Sequence, residues 1–211
     1  MPPARSLQRG DIVDAAIAIL ESEGVAGLSM RRLAARLDSK PMTLYPYVGN
    51  KSTLLSLALS EVAARIDWTT PTGPPRERMV TIGMDMFVRL GEIPWIVSIL
   101  QQGTNIGTPA LGLADRFFDA AHEAGLDDRQ AFETWHGVWY LIVSELQYRG
   151  AVAARGPDEQ SWFETIDPAD VADLPHVTRI LPHWPDLSGG FDVRRTVENQ
   201  VDGAIARAAR D

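Results

Sequence analysis

Apolar residues recur along most of this chain at intervals of three and four, which places them on one face of an α-helix. Residues 10–23 show the pattern clearly, with a shared face formed by Ile12, Ala16, Ile19 and Leu20. No stretch alternates apolar and polar residues for long enough to form a sheet. The chain of 211 residues is therefore predicted to be all-α.

The first 66 residues are predicted to hold four short helices. Gly24 is a natural end for the first helix, because glycine reaches left-handed backbone angles easily. Ser29 and Asn50 are residue types that cap helix N-termini, and Asp38-Ser39 suits a tight turn. We expect these helices over residues 10–23, 30–37, 42–47 and 50–66.

A Pro- and Gly-rich break at residues 69–75 separates two parts of opposite net charge. Residues 1–66 carry eight basic and six acidic residues, whereas residues 67–211 carry twelve basic and 22 acidic ones. Such asymmetry suggests a nucleic-acid-facing module attached to an acidic body. We therefore predict one domain over residues 1–66 and a larger one over 67–211.

The second part is also predicted to be helical, and its glycines mark several helix ends. Residues 155–190 are rich in Pro, Gly and Asp and are expected to form a loop interrupted by one short helix. The candidate helices cover residues 76–90, 94–102, 109–124, 128–154, 169–181 and 192–209.

Several classes of protein are disfavoured by what the sequence lacks. The absence of cysteine excludes disulfides, zinc–thiolate sites and cysteine nucleophiles. No apolar run reaches the roughly 18 residues of a membrane span, and residues 1–7 lack the apolar core of a signal peptide, so we expect a cytoplasmic protein with no membrane partner. Phosphate loops, dinucleotide fingerprints and hydrolase motifs are missing, so an enzyme is not expected.

Residues 28–47 have the dimensions of a helix-turn-helix, with a support helix, a turn of about three residues and a second short helix. Near the N-terminus of the support helix, Ser29, Arg31 and Arg32 can hold phosphates. The candidate contacts of the second helix, which can enter a major groove, are Lys40, Met42, Thr43 and Tyr47. Lys51 opens the following helix, where its charge opposes the helix dipole, which favours a phosphate contact.

At these residues the chain resembles the tetracycline-repressor family. The resemblance covers roughly residues 9–66 and rests on Leu28-Ser29-Met30-Arg31-Arg32-Leu33-Ala34, on Thr43-Leu44-Tyr45-x-Tyr47-Val48-x-Asn50-Lys51 and on Leu54-Leu55. It implies that Thr43, Tyr47 and Lys51 contact double-stranded operator DNA. It also implies that Leu44 and Tyr45 chiefly pack the recognition helix, although Tyr45 remains a candidate DNA contact.

Three residues depart from the usual family pattern. Asp38 stands where glycine is common, and aspartate tolerates left-handed geometry better than most residues. Tyr47 stands where histidine is common. Pro46 removes a backbone donor inside the recognition helix and is expected to disfavour its continuation.

The resemblance further implies a helical C-terminal domain that binds a small, mostly apolar effector and forms a homodimer through the helices near 128–154 and 192–209. Aromatic and methionine side chains in this part either fill the core or line a cavity, with polar groups from Gln101, Gln102, Asn105 or His136. The predicted ligand contacts are Met84, Phe87, Trp95, Ile99, Gln102, Phe117, Trp135, His136 and Trp139.

Two acid–histidine pairs at i, i+3 spacing, Asp119/His122 and Glu133/His136, raise the question of a metal. No further inward glutamates complete such a site, so neither a metal nor a cofactor is expected. Two alternatives to a ligand-responsive repressor stay open at this point: a DNA-binding protein without a ligand, and a helical enzyme with an incidental helix-turn-helix match.

Overall fold

A computed structural model describes residues 7–210, which form eleven α-helices with short 3-10 turns and no β-strand. Residues 1–6, part of the segment expected to lack a signal sequence, lie outside the described residues. The helices are α1 Arg9–Gly27, α2 Met30–Arg36, α3 Pro41–Val48, α4 Lys51–Arg65, α5 Pro75–Gly91, α6 Pro94–Leu100, α7 Leu111–Glu123, α8 Asp128–Ala153, α9 Pro175–Ile180, α10 Trp184–Gly189 and α11 Val193–Ala208. The all-α prediction is confirmed.

The helix ends in the first 66 residues follow the capping residues that the sequence contains. The Ser29 side chain accepts a hydrogen bond from the Arg32 amide at 3.2 Å, and that of Asn50 accepts one from the Thr53 amide at 2.9 Å. Gly24 has non-helical backbone angles, φ 66° and ψ −172°, so the first helical stretch ends there as predicted, and a short second stretch continues α1 to Gly27. Asp38 also has a positive φ, 47°, so the turn between α2 and α3 needs the left-handed geometry that aspartate tolerates.

Pro46 does not stop the recognition helix, contrary to the expectation from sequence. Helix α3 continues through it to Val48. The missing amide would have bonded to the carbonyl of Met42. Met42 is 75% exposed and Pro46 is exposed as well, so the proline lies on the solvent side of the helix, where it costs less than in a buried position.

The helix predicted over residues 169–181 is wrong, because the chain breaks there at Pro175. Leu174 leaves the helical region, with φ −113° and ψ 76°, because the following proline disfavours helical angles there, and α9 starts only at Pro175. A 3-10 turn, Pro168–Val171, precedes the break. Helix α10 lies in the segment expected to be mainly loop.

Helices α1–α4 form a small unit that packs directly onto the larger bundle. In the bundle, α5, α7, α8 and α11 pack against one another. The unit joins it where α1 meets α6 and where α4 meets the 3-10 turn Thr108–Ala110. Buried side chains run continuously through both parts, so the short segment 66–74 does not act as a flexible tether between them.

Ion pairs tie α5 to its neighbours on the bundle surface. The Arg76 guanidinium binds the Asp202 carboxylate of α11 through two hydrogen bonds of 2.5 and 2.8 Å. This hydrogen bonding lowers the pKa of Asp202 below its ordinary value, so the pair stays ionised at neutral pH. Arg78 binds Asp119 and Glu123 of α7 in the same way.

Candidate nucleic-acid interface and ligand cavity

The recognition helix α3 packs with one face and leaves the other open to solvent. Leu44 and Val48 are buried in the core of the small unit. The exposed face carries Lys40, Met42, Thr43, Tyr45 and Tyr47. Met42 is 75% exposed and therefore buries little apolar surface in the isolated chain, which is typical of a surface that meets a partner.

The structure places Leu44 inside, as the sequence implied, but it places Tyr45 outside, with 39% of its surface exposed. A chiefly packing role for Tyr45 is therefore not supported. Ser29, which caps α2, and Arg31 are exposed on the support helix. Arg32 is paired with Glu23 of α1 at 2.5 Å, so its charge is already partly balanced within the chain.

Lys51, the first residue of α4, has backbone partners that its neighbours in sequence do not reveal. Its ammonium donates to the carbonyl oxygens of Leu28 at 2.7 Å and Val25 at 3.3 Å, at the C-terminal end of α1. These two charge-assisted hydrogen bonds stabilise the ammonium directly and offset the unfavourable placement of a lysine at the N-terminus of α4. A functional contact is therefore not needed to explain the lysine, although a third N–H donor can still reach a phosphate.

We predict that Lys51→Gln and Lys51→Met both reduce the slope of log operator affinity against log salt by about 1 per subunit, because each removes one phosphate-binding charge. Only Lys51→Met should also lower stability, by about 1 kcal/mol, because glutamine keeps a donor for the α1 carbonyls. Salt-dependent fluorescence anisotropy and urea unfolding measure the two effects. An unchanged slope with an altered base preference would instead assign Lys51 to base reading, a role for which Lys40 and Met42 are the better candidates.

A cavity of about 420 Å³ lies where the small unit meets the bundle. Its walls come from α4, α5, α6, α7, α8 and the loop before α7. The lining is mainly apolar, and its polar side chains are Thr104, Asn105 and His136, together with the indole groups of three tryptophans. The lining residues are Leu59, Ala63, Ile66, Trp68, Met86, Leu90, Ile96, Leu100, Gly103, Thr104, Asn105, Ile106, Gly107, Ala110, Leu111, Leu113, Ala114, Trp135, His136 and Trp139.

Of the nine predicted ligand contacts, the structure brings Trp135, His136 and Trp139 to the cavity. The remaining six, Met84, Phe87, Trp95, Ile99, Gln102 and Phe117, do not line it.

The six predicted residues that do not line the cavity lie on other faces of the same helices or behind the residues that form its wall. On α6, Ile96 and Leu100 reach the cavity, whereas Trp95 and Ile99 are buried on another face of the same helix. On α5 the lining is formed by Met86 and Leu90, and the Phe87 ring instead lies 5.0 Å from the Arg149 guanidinium. Phe117 is fully buried and packs against Trp135. Gln102 is exposed, as is Gln101, which hydrogen-bonds to Gln147 of α8.

Asn105 connects the cavity wall to α4. Its side-chain amide donates to the Ser52 carbonyl at 2.8 Å, to the Ser52 hydroxyl at 3.1 Å and to the Ser56 hydroxyl at 2.8 Å. Thr104 donates to the amide oxygen of Asn105 at 2.9 Å. Ser52 is the second residue of α4 and follows Lys51, so a single buried side chain touches both the cavity and the start of the helix after the recognition helix.

Three members of the two acid–histidine pairs form contacts with residues outside their own pair. Asp119 binds Arg78, Glu133 binds Arg129 and His122 contacts Asp128 at 3.0 Å. Residues 7–210 contain no group of three or more His, Asp or Glu side chains arranged to hold a metal ion. None of the helices in the same range has the length and apolarity to cross a membrane.

Comparison with known proteins gives relatives that regulate transcription. The chain is 31% identical over 187 residues to a helix-turn-helix transcriptional regulator of Saccharopolyspora erythraea, which covers 88% of this chain and 75% of the relative. It is 30% identical over 128 residues to the transcriptional repressor DrrR1 of Streptomyces coeruleorubidus, where the match covers 60% of this chain but only 47% of that protein. No protein-family model matches the chain.

A tetracycline repressor and a solved structure extend the comparison. The class A tetracycline repressor from transposon 1721 of Escherichia coli is 27% identical over 178 residues, 79% of this chain and 82% of that protein. The structure of the Streptomyces coelicolor TetR family protein ActR in complex with actinorhodin superimposes with a TM-score of 0.74 at 20% identity, covering 97% of both chains. That likeness confirms the arrangement of an N-terminal helix-turn-helix and a helical C-terminal part.

Proposed function

Because the chain belongs to the tetracycline-repressor family of helix-turn-helix transcriptional regulators, we propose that it represses transcription by binding a near-palindromic operator as a homodimer. A small molecule that fills the cavity would then release the operator. The division into a DNA-binding part over residues 1–66 and a ligand-sensing and dimerisation part over 67–211 belongs to the same proposal.

The solvent-facing side of α3 is the observation that carries the DNA-binding role. Five of the eight proposed contacts lie on or next to this short helix, and all eight are exposed. The eight residues are Ser29, Arg31, Lys40, Met42, Thr43, Tyr45, Tyr47 and Lys51. The helix is held from behind by Leu44 and Val48, so its outer side chains project from a fixed support. A short helix with both charged and apolar side chains on one face suits a major groove.

The cavity supports the ligand-sensing role. Its volume of about 420 Å³ and its apolar walls are typical of a small-molecule site. Leu59 and Ala63 of α4 form part of its wall together with Ile66, the residue after α4, so a bound molecule would touch the helix whose N-terminus follows the recognition helix. The solved ActR structure contains actinorhodin, and a related use of the cavity here is part of the proposal.

A stripe on α8 supports the dimer. Phe132 and Tyr140 are 51% and 61% exposed and lie on neighbouring turns of one face of α8, on either side of His136. Exposed aromatic side chains of this kind are suited to an isologous contact with a second copy.

The apolar stripe of α11, expected to serve the same interface, instead packs in the core of this chain. Its buried members are Val193, Val197, Val201 and Ala204. Only the remaining faces of α11 are therefore available to a partner chain.

Selection of bound genomic fragments, followed by sedimentation with the recovered duplex, tests the proposal. We expect a two-fold symmetric site and two chains per duplex at micromolar concentration, because one short recognition helix reads too few bases for a long site. The matched control is a duplex in which one half-site is scrambled, which should bind far more weakly. A chain that stays monomeric and recovers no DNA would overturn the proposal.

A further inference from the structure

The cavity wall carries no charged side chain that could meet a charged ligand. No Asp, Glu, Lys or Arg is among the lining residues. Transferring an ion into such surroundings without a partner costs several kcal/mol. The lining therefore favours a neutral ligand.

Three tryptophans give the cavity rigid aromatic walls. The Trp135 ring contacts Phe117 at 5.3 Å and Phe118 at 6.1 Å between ring centroids, so its orientation is set from behind. The indole N–H of Trp68 donates to the Ala63 carbonyl at 2.9 Å, which fixes a second ring. Flat walls held in this way favour a flat aromatic ligand, which gains offset or edge contacts with them.

One imidazole in the lining is left without a hydrogen-bond partner. Within residues 7–210 neither ring nitrogen of His136 makes a hydrogen bond, and Nδ1 is buried, whereas the Asn105 amide nitrogen has three acceptors. Phe132 and Tyr140 lie against the His136 ring, with centroids 4.4 and 5.1 Å away, which hold it in place. A ligand hydroxyl that reaches the ring would supply the hydrogen bond that this imidazole lacks.

We propose that the cavity binds a neutral aromatic molecule with a hydroxyl group, and that the imidazole of His136 hydrogen-bonds to that hydroxyl. A hydroxyl both donates and accepts, so it suits either tautomer of the ring. The inference rests on the ligand-sensing part of the proposed function and adds the chemical class of the ligand.

Titration calorimetry of the full chain without DNA tests this with three probes of one size: 1-naphthol, naphthalene and 1-naphthoate. We expect 1-naphthol to bind about 3- to 10-fold more tightly than naphthalene, the gain of one neutral hydrogen bond. We expect 1-naphthoate to bind at least about tenfold more weakly than 1-naphthol, because its carboxylate meets no cation.

Variants at His136 assign the preference to that residue. His136→Phe should bring the ratio of the 1-naphthol and naphthalene affinities to about one, and His136→Gln should keep part of the preference, because an amide also donates and accepts. The matched control is His122→Phe on α7, outside the cavity lining, which should leave the ratio unchanged.

Three results would overturn the inference: no binding of 1-naphthol at millimolar concentration, 1-naphthoate binding as tightly as 1-naphthol, or an unchanged ratio in His136→Phe. Because these titrations contain no DNA, they are independent of operator binding. A chain that binds 1-naphthol as expected but selects no operator would contradict the proposed function and leave the ligand class standing.

Discussion

Gly107→Ala is expected to lower the free energy of unfolding by about 1–3 kcal/mol, the usual cost of overpacking a tight contact. A Cβ atom at this position would lie 2.6 Å from the Leu59 carbonyl oxygen and 3.0 Å from the Ser60 amide nitrogen. Both are backbone atoms inside α4, so no flexible side chain can move aside. Either the loop before α7 or α4 itself must shift, and this contact joins the small unit to the bundle.

Urea unfolding of Gly107→Ala beside Gly112→Ala separates this contact from a general effect of alanine. Gly112 is an exposed helical residue of α7, and an added Cβ there would meet nothing within 4 Å. Gly112→Ala should therefore raise stability by about 0.5–1 kcal/mol, because alanine loses less backbone entropy in a helix than glycine does. Equal changes in the two variants would show that the approach of Gly107 to α4 is not tight.

Features set by residues close together in sequence could be predicted from the sequence. The caps at Ser29 and Asn50 and the left-handed turn at Asp38 involve neighbours within three or four residues, and all three appear in the structure. The same holds for the all-α class, which follows from the spacing of apolar residues. The break before α9 is local too, because Pro175 disfavours helical angles at Leu174, although the apolar spacing on both sides of it favours one continuous helix.

Features set by packing between distant segments could not be predicted in this way. An apolar helix such as α6 offers two apolar faces, and only its packing in the bundle decides that Ile96 rather than Trp95 reaches the cavity. The partners of Lys51 lie 23 and 26 residues earlier in the chain, so its role at the end of α1 has no local signal. Asn105 was recognisable as a candidate polar group, but its contacts with α4 were not.

We expect Asn105→Leu to weaken the coupling between the cavity and the operator while leaving each site able to bind. The Asn105 amide makes three hydrogen bonds to Ser52 and Ser56, so it is the polar link between the cavity wall and the first turns of α4. Leucine has a similar size but cannot make these hydrogen bonds. A movement of the loop before α7, caused by a bound ligand, would therefore no longer be transmitted to α4 through them. The matched control is Thr104→Val, which removes only the bond to the Asn105 oxygen and should preserve the coupling within about threefold.

The measurement is the dissociation constant of 1-naphthol with and without saturating operator duplex. A hundredfold weaker affinity in the presence of operator corresponds to about 2.7 kcal/mol of coupling, and by reciprocity 1-naphthol weakens operator binding by the same factor. In Asn105→Leu this ratio should fall below about tenfold, because both affinities in the ratio are measured on the same variant and any change in the cavity itself cancels. A ratio near one in the unaltered chain would mean that 1-naphthol is not an inducer, and a ratio that Asn105→Leu leaves unchanged would show that the coupling runs through the apolar contacts of Leu59, Ala63 and Ile66 instead.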